Sequence, residues 1–132
     1  MSDPESVPTP EGPAGLLLSR DLIFTSKVTG TASALGHRVI VAGNVALASA
    51  MLAKWPPKVV FVDLAASDLV STESIVKYLE IAPPGTPFVA FGSHVDVSAL
   101  AAAAAAGCDP VMPRSKFTAE LPALVRRYFG EG

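Results

Sequence analysis

One acidic residue stands out among the side chains that could do chemistry. In the stretch KVVFVDLAASD, residues 58–68, four consecutive apolar residues lead directly into Asp63. A short continuous apolar run indicates a strand that is buried on both faces of a parallel sheet. Ligands of such sheets bind outside the carboxyl ends of the strands, where this carboxylate would stand. Asp63 is therefore the first candidate site residue, and we expect it to face a pocket.

A hydroxyl, an imidazole and a carboxylate follow closely on one another at Ser93, His94 and Asp96. These are the groups of a hydrolytic triad, but neighbouring residues on one turn rarely point into a single relay. A side-chain oxygen just before a helix commonly accepts a hydrogen bond from one of the first free N–H groups of that helix. We therefore predict that Asp96 or Ser93 caps the alanine-rich helix that follows. We predict no catalytic residue and no enzyme activity.

Composition and charge exclude several other classes of function. The 132 residues carry a formal charge of −2, and the ten Lys and Arg residues are scattered, so we expect no nucleic-acid surface. The single cysteine, Cys108, has no neighbour at a metal-ligand spacing and is expected to be a packing residue. No apolar stretch is long enough to span a membrane and no signal peptide is present, which favours the cytoplasm. No glycine-rich phosphate loop follows the first strand in LLLSRDLIF, so we expect no cofactor.

The hydrophobic pattern predicts the elements that position these residues. Residues 1–14 hold four prolines and almost no large apolar side chain, and we interpret them as a disordered leader before a domain of residues 15–132. In that domain, short apolar runs alternate with segments of helical period. The predicted strands cover residues 16–18, 38–42, the run that ends at Asp63, 87–91 and 109–112. The predicted helices between them include residues 45–54, 72–81 and 96–106.

The last helix is predicted to begin near Thr118, with Pro122 in or just past its first turn, where a missing N–H costs least. Five β-α units joined by short loops predict an α/β fold with a doubly wound, five-stranded parallel sheet. The expected type is the flavodoxin-like (βα)5 arrangement with strand order 2-1-3-4-5.

In order and spacing, the sequence resembles the receiver domains of bacterial two-component response regulators. The resemblance covers Gly15 to Phe129 and rests on LLLSRD, ALGHRVIVA, PPKVVFVDL, TPFVAFGS and AAGCDPVMPRSKF, which fall where receivers place their strands and loops. It implies that Asp63 matches the aspartate that accepts a phosphoryl group from a histidine kinase. It also implies Mg²⁺ held by two acids after strand one, a hydroxyl at the end of strand four and a lysine after strand five.

The sequence departs from this family pattern at most of those positions. The acidic pair falls on Ser19 and Arg20 with Asp21 beside them, the hydroxyl on Gly92 with Ser93 next to it, and the lysine on Arg114. The resemblance is thus to a degenerate type, a pseudo-receiver with a phosphoacceptor-like Asp63. No metal ligand is assigned, and Mg²⁺ is expected only if the domain is competent for phosphorylation, with Asp21 and Asp63 as candidate ligands.

A carboxylate in a pocket without a metal needs a cation or several N–H donors to offset its desolvation. Arg20 and Arg114 are both expected at the same rim of the sheet. We hypothesise that one of them pairs with Asp63, replaces the metal ion and locks the pocket in one state.

Three functions remain open from the sequence. The favoured one is a stand-alone receiver-like signalling domain that acts through protein–protein contacts without phosphorylation, since the chain ends at Gly132 and no effector domain is expected. The second is a single-domain response regulator phosphorylated on Asp63, and the third is a small-molecule-binding protein or enzyme that uses the pocket at the strand ends. The expected partners are a histidine kinase or another signalling protein. A homodimer through the face of the fourth helix, fifth strand and fifth helix is a further option.

Overall fold

Five parallel strands form one sheet with helices on both faces. The computed structural model describes residue 7 and residues 9–130. The elements in chain order are β1 (Ala14–Leu18), α1 (Leu22–Ala34), β2 (Arg38–Ala42), α2 (Val45–Lys54), β3 (Val60–Asp63), α3 (Thr72–Ile81), β4 (Phe88–Gly92), α4 (Val97–Ala106), β5 (Val111–Pro113) and α5 (Arg114–Phe129). A 3-10 turn at Ser67–Val70 precedes α3. The strand order β2-β1-β3-β4-β5 confirms the predicted doubly wound α/β sheet.

The central strand β3 is buried on both faces, as its apolar run predicts. It pairs with β1 on one side, where Leu17 lies opposite Phe61, and with β4 on the other, where Asp63 lies opposite Phe91. All four of its residues are buried. Because side chains alternate along a strand, Phe61 and Asp63 point to the same face of the sheet.

Each face of the sheet has its own apolar core. The face covered by α2, α3 and α4 buries Leu16, Leu18, Met51, Val60, Val62, Ile75 and Tyr78. The face covered by α1 and α5 buries Leu17, Phe24, Val28, Phe61, Val89, Phe91, Phe117, Leu121 and Val125. Asp63 therefore stands at the carboxyl edge of the second, more aromatic core.

The helices α1 to α4 each begin with a side-chain cap at the carboxyl edge of the sheet. The capping oxygens belong to Asp21, Asn44, Ser71 and Asp96, and each accepts a hydrogen bond from a backbone N–H of the first helical turn. The predicted cap at Asp96 is thus confirmed. Gly107 ends α4 with φ of 124°, a left-handed conformation that suits glycine.

The start of the last helix differs from the prediction. α5 begins at Arg114 rather than near Thr118, so Pro122 lies in the helix interior and not in its first turn. The preference of proline for the first turn is overridden by packing, because the extra turn lets Phe117 join Leu121 in the aromatic core. Arg114 is therefore the first residue of α5, and the helix fixes the backbone position from which its side chain reaches the site.

The first strand begins earlier than the predicted residues 16–18. β1 begins with Ala14, one residue before the predicted domain, and Ala14 is buried. Val7 packs against the core on the α2–α4 face. The rest of the predicted leader up to residue 8 lies outside the described residues, so its disorder stays a prediction. Among the helices that are described, none combines the length and the apolar character needed to span a membrane.

Candidate functional site

The Asp63 carboxylate is buried and fully engaged by three donors. Only 1% of the surface of Asp63 is exposed to solvent. Ser19 Oγ donates to Oδ2 over 2.7 Å, while Arg114 Nη2 and the backbone N–H of Ala65 donate to Oδ1 over 2.7 and 3.0 Å. One cation and two neutral donors offset the cost of removing this charge from water.

Arg114 approaches the carboxylate over an aromatic floor. Its Cζ atom lies 4.6 Å from the centroid of the Phe24 ring and 5.6 Å from that of Phe91. Phe91 in turn stacks on Phe117 with 4.0 Å between ring centroids. The rings attract the guanidinium and restrict its position, while 31% of the Arg114 side chain remains exposed. The pocket that the sequence predicts beside Asp63 is thus occupied by a side chain of the protein itself.

The structure decides between the two arginines of the sequence hypothesis. Arg114 pairs with Asp63, and Arg20 does not. Ser19 lies two residues after Leu17, so its side chain points to the same face of the sheet as Leu17 and reaches Asp63. Arg20 lies two residues after Leu18, so its side chain points to the other face. Proposing Arg20 as an equal partner was therefore wrong, because adjacent residues of an extended chain point to opposite sides.

Arg20 instead connects loops at the rim of the sheet. Its Nε donates to the carbonyl of Gly43 over 2.8 Å, and Nη1 donates to Asp68 Oδ1 over 2.9 Å and to the carbonyl of Ala66 over 3.4 Å. The hydrogen bond to Asp68 raises the pKa of Arg20, and the same bond lowers the pKa of Asp68 below its ordinary value. Arg20 thereby links the ends of β1, β2 and β3 without touching the carboxylate of Asp63.

The remaining predicted site residues do not reach Asp63. Asp21 Oδ1 accepts from Phe24 N as the cap of α1. Gly92 is buried, and a Cβ atom there would lie 3.2 Å from the Cβ of Leu64. Ser93 is exposed, and its Oγ accepts a weak bond from Val95 N at 3.4 Å. The hydroxyl that bonds to Asp63 comes from β1 rather than from the end of β4.

Two parts of the site were missed from the sequence. Ser19 was counted only as a lost acid, although its position two residues after Leu17 already places its hydroxyl on the face of Asp63. Phe24 and Phe91 were not predicted to belong to the site. The position of Phe91 could have indicated its role. Its side chain points to the same face of the sheet as the aromatic core, and it lies opposite Asp63 on the neighbouring strand.

His37, His94, Asp96 and Cys108 stay apart from the site. His94 is exposed, and Asp96 caps α4 by accepting from Ala99 N. Cys108 is buried, which raises the pKa of its thiol to about 11. His37 stacks on Phe129 with 4.7 Å between ring centroids, at the opposite edge of the sheet.

The residues at Asp63 do not fit a magnesium ion. Mg²⁺ requires near-octahedral oxygen ligands with negative charge, but both oxygens of Asp63 are hydrogen-bonded and a guanidinium lies beside them. Oδ1 of Asp21 accepts the cap hydrogen bond of α1, and the Asp21 carboxylate makes no contact with Asp63. Within the described residues, no group of three or more His, Cys, Asp or Glu side chains is arranged to hold a metal ion. We therefore derive no chemistry through a metal at this site.

Comparison with known proteins identifies the fold. No protein-family model and no curated protein sequence matches the chain. A response regulator from Thermotoga maritima superposes with a TM-score of 0.73 at 21% identity, over 90% of this chain and 98% of that one. The magnesium-bound receiver domain of a sensor histidine kinase from Pseudomonas aeruginosa gives 0.74 at 16%, over 91% and 99%. A two-component response regulator from Clostridium difficile gives 0.76 at 17%, over 89% and 96%.

The chain has the receiver-domain fold. Within this fold, Asp63 stands at the carboxyl end of the central strand, beside the point where the strand order reverses between β1 and β3. The Pseudomonas receiver domain holds magnesium in its active-site cleft. In the present receiver fold, the corresponding edge of the sheet holds an internal ion pair between Asp63 and Arg114.

Proposed function

We propose that this chain is a receiver-like signalling domain that acts through protein–protein contacts without phosphorylation of Asp63. The observation that carries the proposal is the buried ion pair of Asp63 with Arg114, completed by the Ser19 hydroxyl. The receiver-domain fold supports a role in signalling. The domain would have no catalytic activity of its own and would work in the bacterial cytoplasm with a signalling protein as its partner.

The charge balance at Asp63 supports independence from phosphorylation. A phosphorylated aspartate carries close to two negative charges in place of the single charge of the carboxylate, and phosphoryl-transfer sites neutralise such charge with a metal ion and fixed cations. Arg114 supplies one positive charge, and that charge already compensates the carboxylate. An attack by either carboxylate oxygen would have to break a hydrogen bond of 2.7 Å while no second cation contacts Asp63 among the described residues.

The arrangement also supports a single conformational state. Arg114 is held by the carboxylate on one side and by the Phe24 and Phe91 rings on the other. The state that other receivers reach with a bound metal and a phosphoryl group would, in this proposal, be replaced by one permanent arrangement. The domain would then present a constant surface, and its output would be set by the abundance of its partner.

Intact-mass spectrometry tests this proposal. We would incubate the protein with acetyl phosphate and Mg²⁺, use Asp63→Asn as the control, and measure thermal stability with and without Mg²⁺. The expected result is no phosphate adduct and no Mg²⁺-dependent shift of the melting temperature. An adduct of one phosphoryl group on the wild type, absent from the Asp63→Asn variant, would overturn the proposal.

The second candidate is a phosphorylatable response regulator. One observation favours it, the retention of a carboxylate at the carboxyl end of β3. It requires Arg114 to leave Asp63 and a metal ion to enter, so it predicts that Arg114→Ala gains an adduct more readily than the wild type. A variant that still gives no adduct would contradict this candidate.

A further inference from the structure

A cavity of about 200 Å³ opens to solvent between α3 and α4. Its α4 wall consists of Ala99, Ala102 and Ala103, whose side chains end at Cβ. The opposite wall holds larger aliphatic side chains, those of Leu64, Val70 and Ile75. The alanines are too short to fill the space between the two helices, and no other side chain of the described residues fills it. We call this space the α3–α4 cavity.

The lining of the cavity is apolar inside and carries hydroxyl groups at the mouth. None of the lining residues is charged, and the polar ones are all hydroxyl residues. Ser67 and Thr72 are exposed, whereas Ile75 and Ala103 are each 1% exposed and lie deeper. The third hydroxyl residue, Ser71, caps α3. The side chains of Ser67 and Thr72 make no hydrogen bond to other described residues, so both can bond to a ligand.

The size and the lining of the cavity select a class of ligand. An apolar cavity of about 150 Å³ stays dry and binds benzene. The α3–α4 cavity is somewhat larger, at about 200 Å³, so it accommodates one six-membered ring with a small substituent. A charged ligand would lose its hydration without meeting an opposite charge, which is unfavourable. The cavity therefore favours an uncharged ring that carries a hydroxyl group.

We propose that the α3–α4 cavity binds a small, uncharged aromatic alcohol of the phenol class. The ring would lie between Ile75 and the alanines of α4, and its hydroxyl would bond to Ser67 or Thr72 at the mouth. A phenolic hydroxyl stays protonated at pH 7, since its pKa is about 10. The inference goes beyond the proposed function, because it gives the domain a chemical signal that does not depend on the state of Asp63.

Water fits the inner part of the cavity less well than such a ring. A buried water molecule needs about two to four polar partners. The hydroxyls supply partners at the mouth only, and the buried side chains of Ile75 and Ala103 offer none. A ring that displaces water from this inner surface would remove apolar area from water, which is favourable.

Leu64 connects the cavity to the end of the central strand. It follows Asp63 directly, and its backbone N–H donates to the carbonyl of Phe91 over 2.9 Å. A Cβ atom at Gly92 would lie 3.2 Å from the Cβ of Leu64, so Leu64 also packs closely on the end of β4. A ligand that contacts Leu64 would therefore change the surroundings of the last residues of β3 and β4. This predicts amide shifts at Leu64 and Gly92, outside the two helices.

Backbone NMR with phenol tests the proposal. Phenol is titrated into the isotope-labelled full chain at pH 7, and benzoate, which has the same ring but a negative charge, is the matched control ligand. Ala102→Leu fills the cavity with a longer aliphatic side chain. Ala101→Leu makes the same substitution at an exposed residue of α4 that does not line the cavity. Ser67→Ala/Thr72→Val removes both hydroxyls at the mouth.

The expected result is a saturable shift of amide signals in α3 and α4 and at Leu64 and Gly92. The affinity for phenol should fall about tenfold or more in Ala102→Leu, because leucine occupies the space of the ring, and should not change in Ala101→Leu. Ser67→Ala/Thr72→Val should weaken phenol binding about threefold to tenfold, the loss expected for one hydrogen bond, and should not weaken the binding of benzene. Benzoate should give no saturable shift.

Three results would overturn the proposal. They are an unchanged phenol affinity in a folded Ala102→Leu variant, binding of benzoate as tight as that of phenol, or shifts that rise with phenol concentration without saturation. If Ala102→Leu does not fold, Ala99→Leu on the same wall takes its place with the same expected result. The test is separate from that of the proposed function. A phosphate adduct on Asp63 would refute independence from phosphorylation and leave the cavity intact, whereas failure of phenol to bind would refute only the ligand site.

Discussion

Replacing Arg114 by methionine removes the cation from Asp63 while keeping most of the apolar volume over Phe24. The Asp63 side chain is 2% exposed, so water cannot replace the lost donor without a rearrangement of the pocket. We therefore expect Arg114→Met to be among the most destabilising single substitutions outside the apolar core. Asp63→Asn should cost less, because Arg114 is 31% exposed and can be rehydrated when its partner is neutral.

The magnitude follows from the burial of the two partners. Removing one partner of a fully buried ion pair typically costs about 3–5 kcal/mol. Because Arg114 is partly exposed and solvent screens the interaction, we discount this to about 2–3 kcal/mol for Arg114→Met. With a urea m-value of about 2 kcal/mol/M, the midpoint of unfolding should fall by about 1–1.5 M.

A double-mutant cycle isolates the interaction itself. Urea unfolding at pH 7 is measured for the wild type, Arg114→Met, Asp63→Asn and the double variant. We expect a coupling free energy of about 1–2 kcal/mol, since residues in one buried network are not additive. The control is Arg114→Lys, which keeps the charge but loses the planar contact with Phe24, and should lie between the wild type and Arg114→Met.

The reasoning would be refuted by a coupling free energy below about 0.5 kcal/mol, the usual range of additivity for independent sites. It would also be refuted if Arg114→Met left the urea midpoint unchanged, because the pair would then contribute no more than an exposed one.

Three further predictions concern residues around the site and in the helices. Arg20→Ala should lower the urea midpoint less than Arg114→Met and give no Mg²⁺-dependent thermal shift, because its ion pair is exposed; a larger loss would contradict the geometry. Burial raises the pKa of the Cys108 thiol from 9.0 to about 11, so the thiol stays protonated in the folded state at pH values where it ionises in the unfolded state. The stability that depends on the protonated thiol is therefore present below pH 9 and is lost as the pH rises toward 11. We would measure urea unfolding of the wild type and of Cys108→Ala at pH 8 and at pH 10.5. The free energy of unfolding should fall less between the two pH values in Cys108→Ala than in the wild type. Gly107→Ala should destabilise the fold by about 1 kcal/mol or more, because φ at this residue is 124°. Gly30 lies within a helix, and no atom lies within 4 Å of the methyl group that Gly30→Ala adds, so this variant should be more stable by about 0.5–1 kcal/mol. Thermal melts in which the two variants shift in the opposite directions would contradict this prediction.

Much of the fold could be predicted because its signals are local. The bounds of β2, α2 and α3 agree with the predicted residues 38–42, 45–54 and 72–81. Those segments combine a clear apolar period with strong start or stop residues, such as Asn44 before α2. The start of α5 was misplaced because the placement of proline in the first helical turn is a local preference. The burial of Phe117 against the other aromatic rings outweighs it.

The sequence by itself determined that an acid ends the central strand, that the expected metal ligands are replaced, and that a cation is needed beside the carboxylate. The first and the last of these conclusions depend only on residue types and on the geometry of a parallel sheet, whereas the replaced metal ligands are what the resemblance to receiver domains implies. Only the tertiary structure decided which arginine supplies the charge, and that a serine of β1 supplies the hydroxyl. Both answers depend on side-chain direction and on where α5 begins, and these are set by packing between segments about fifty residues apart.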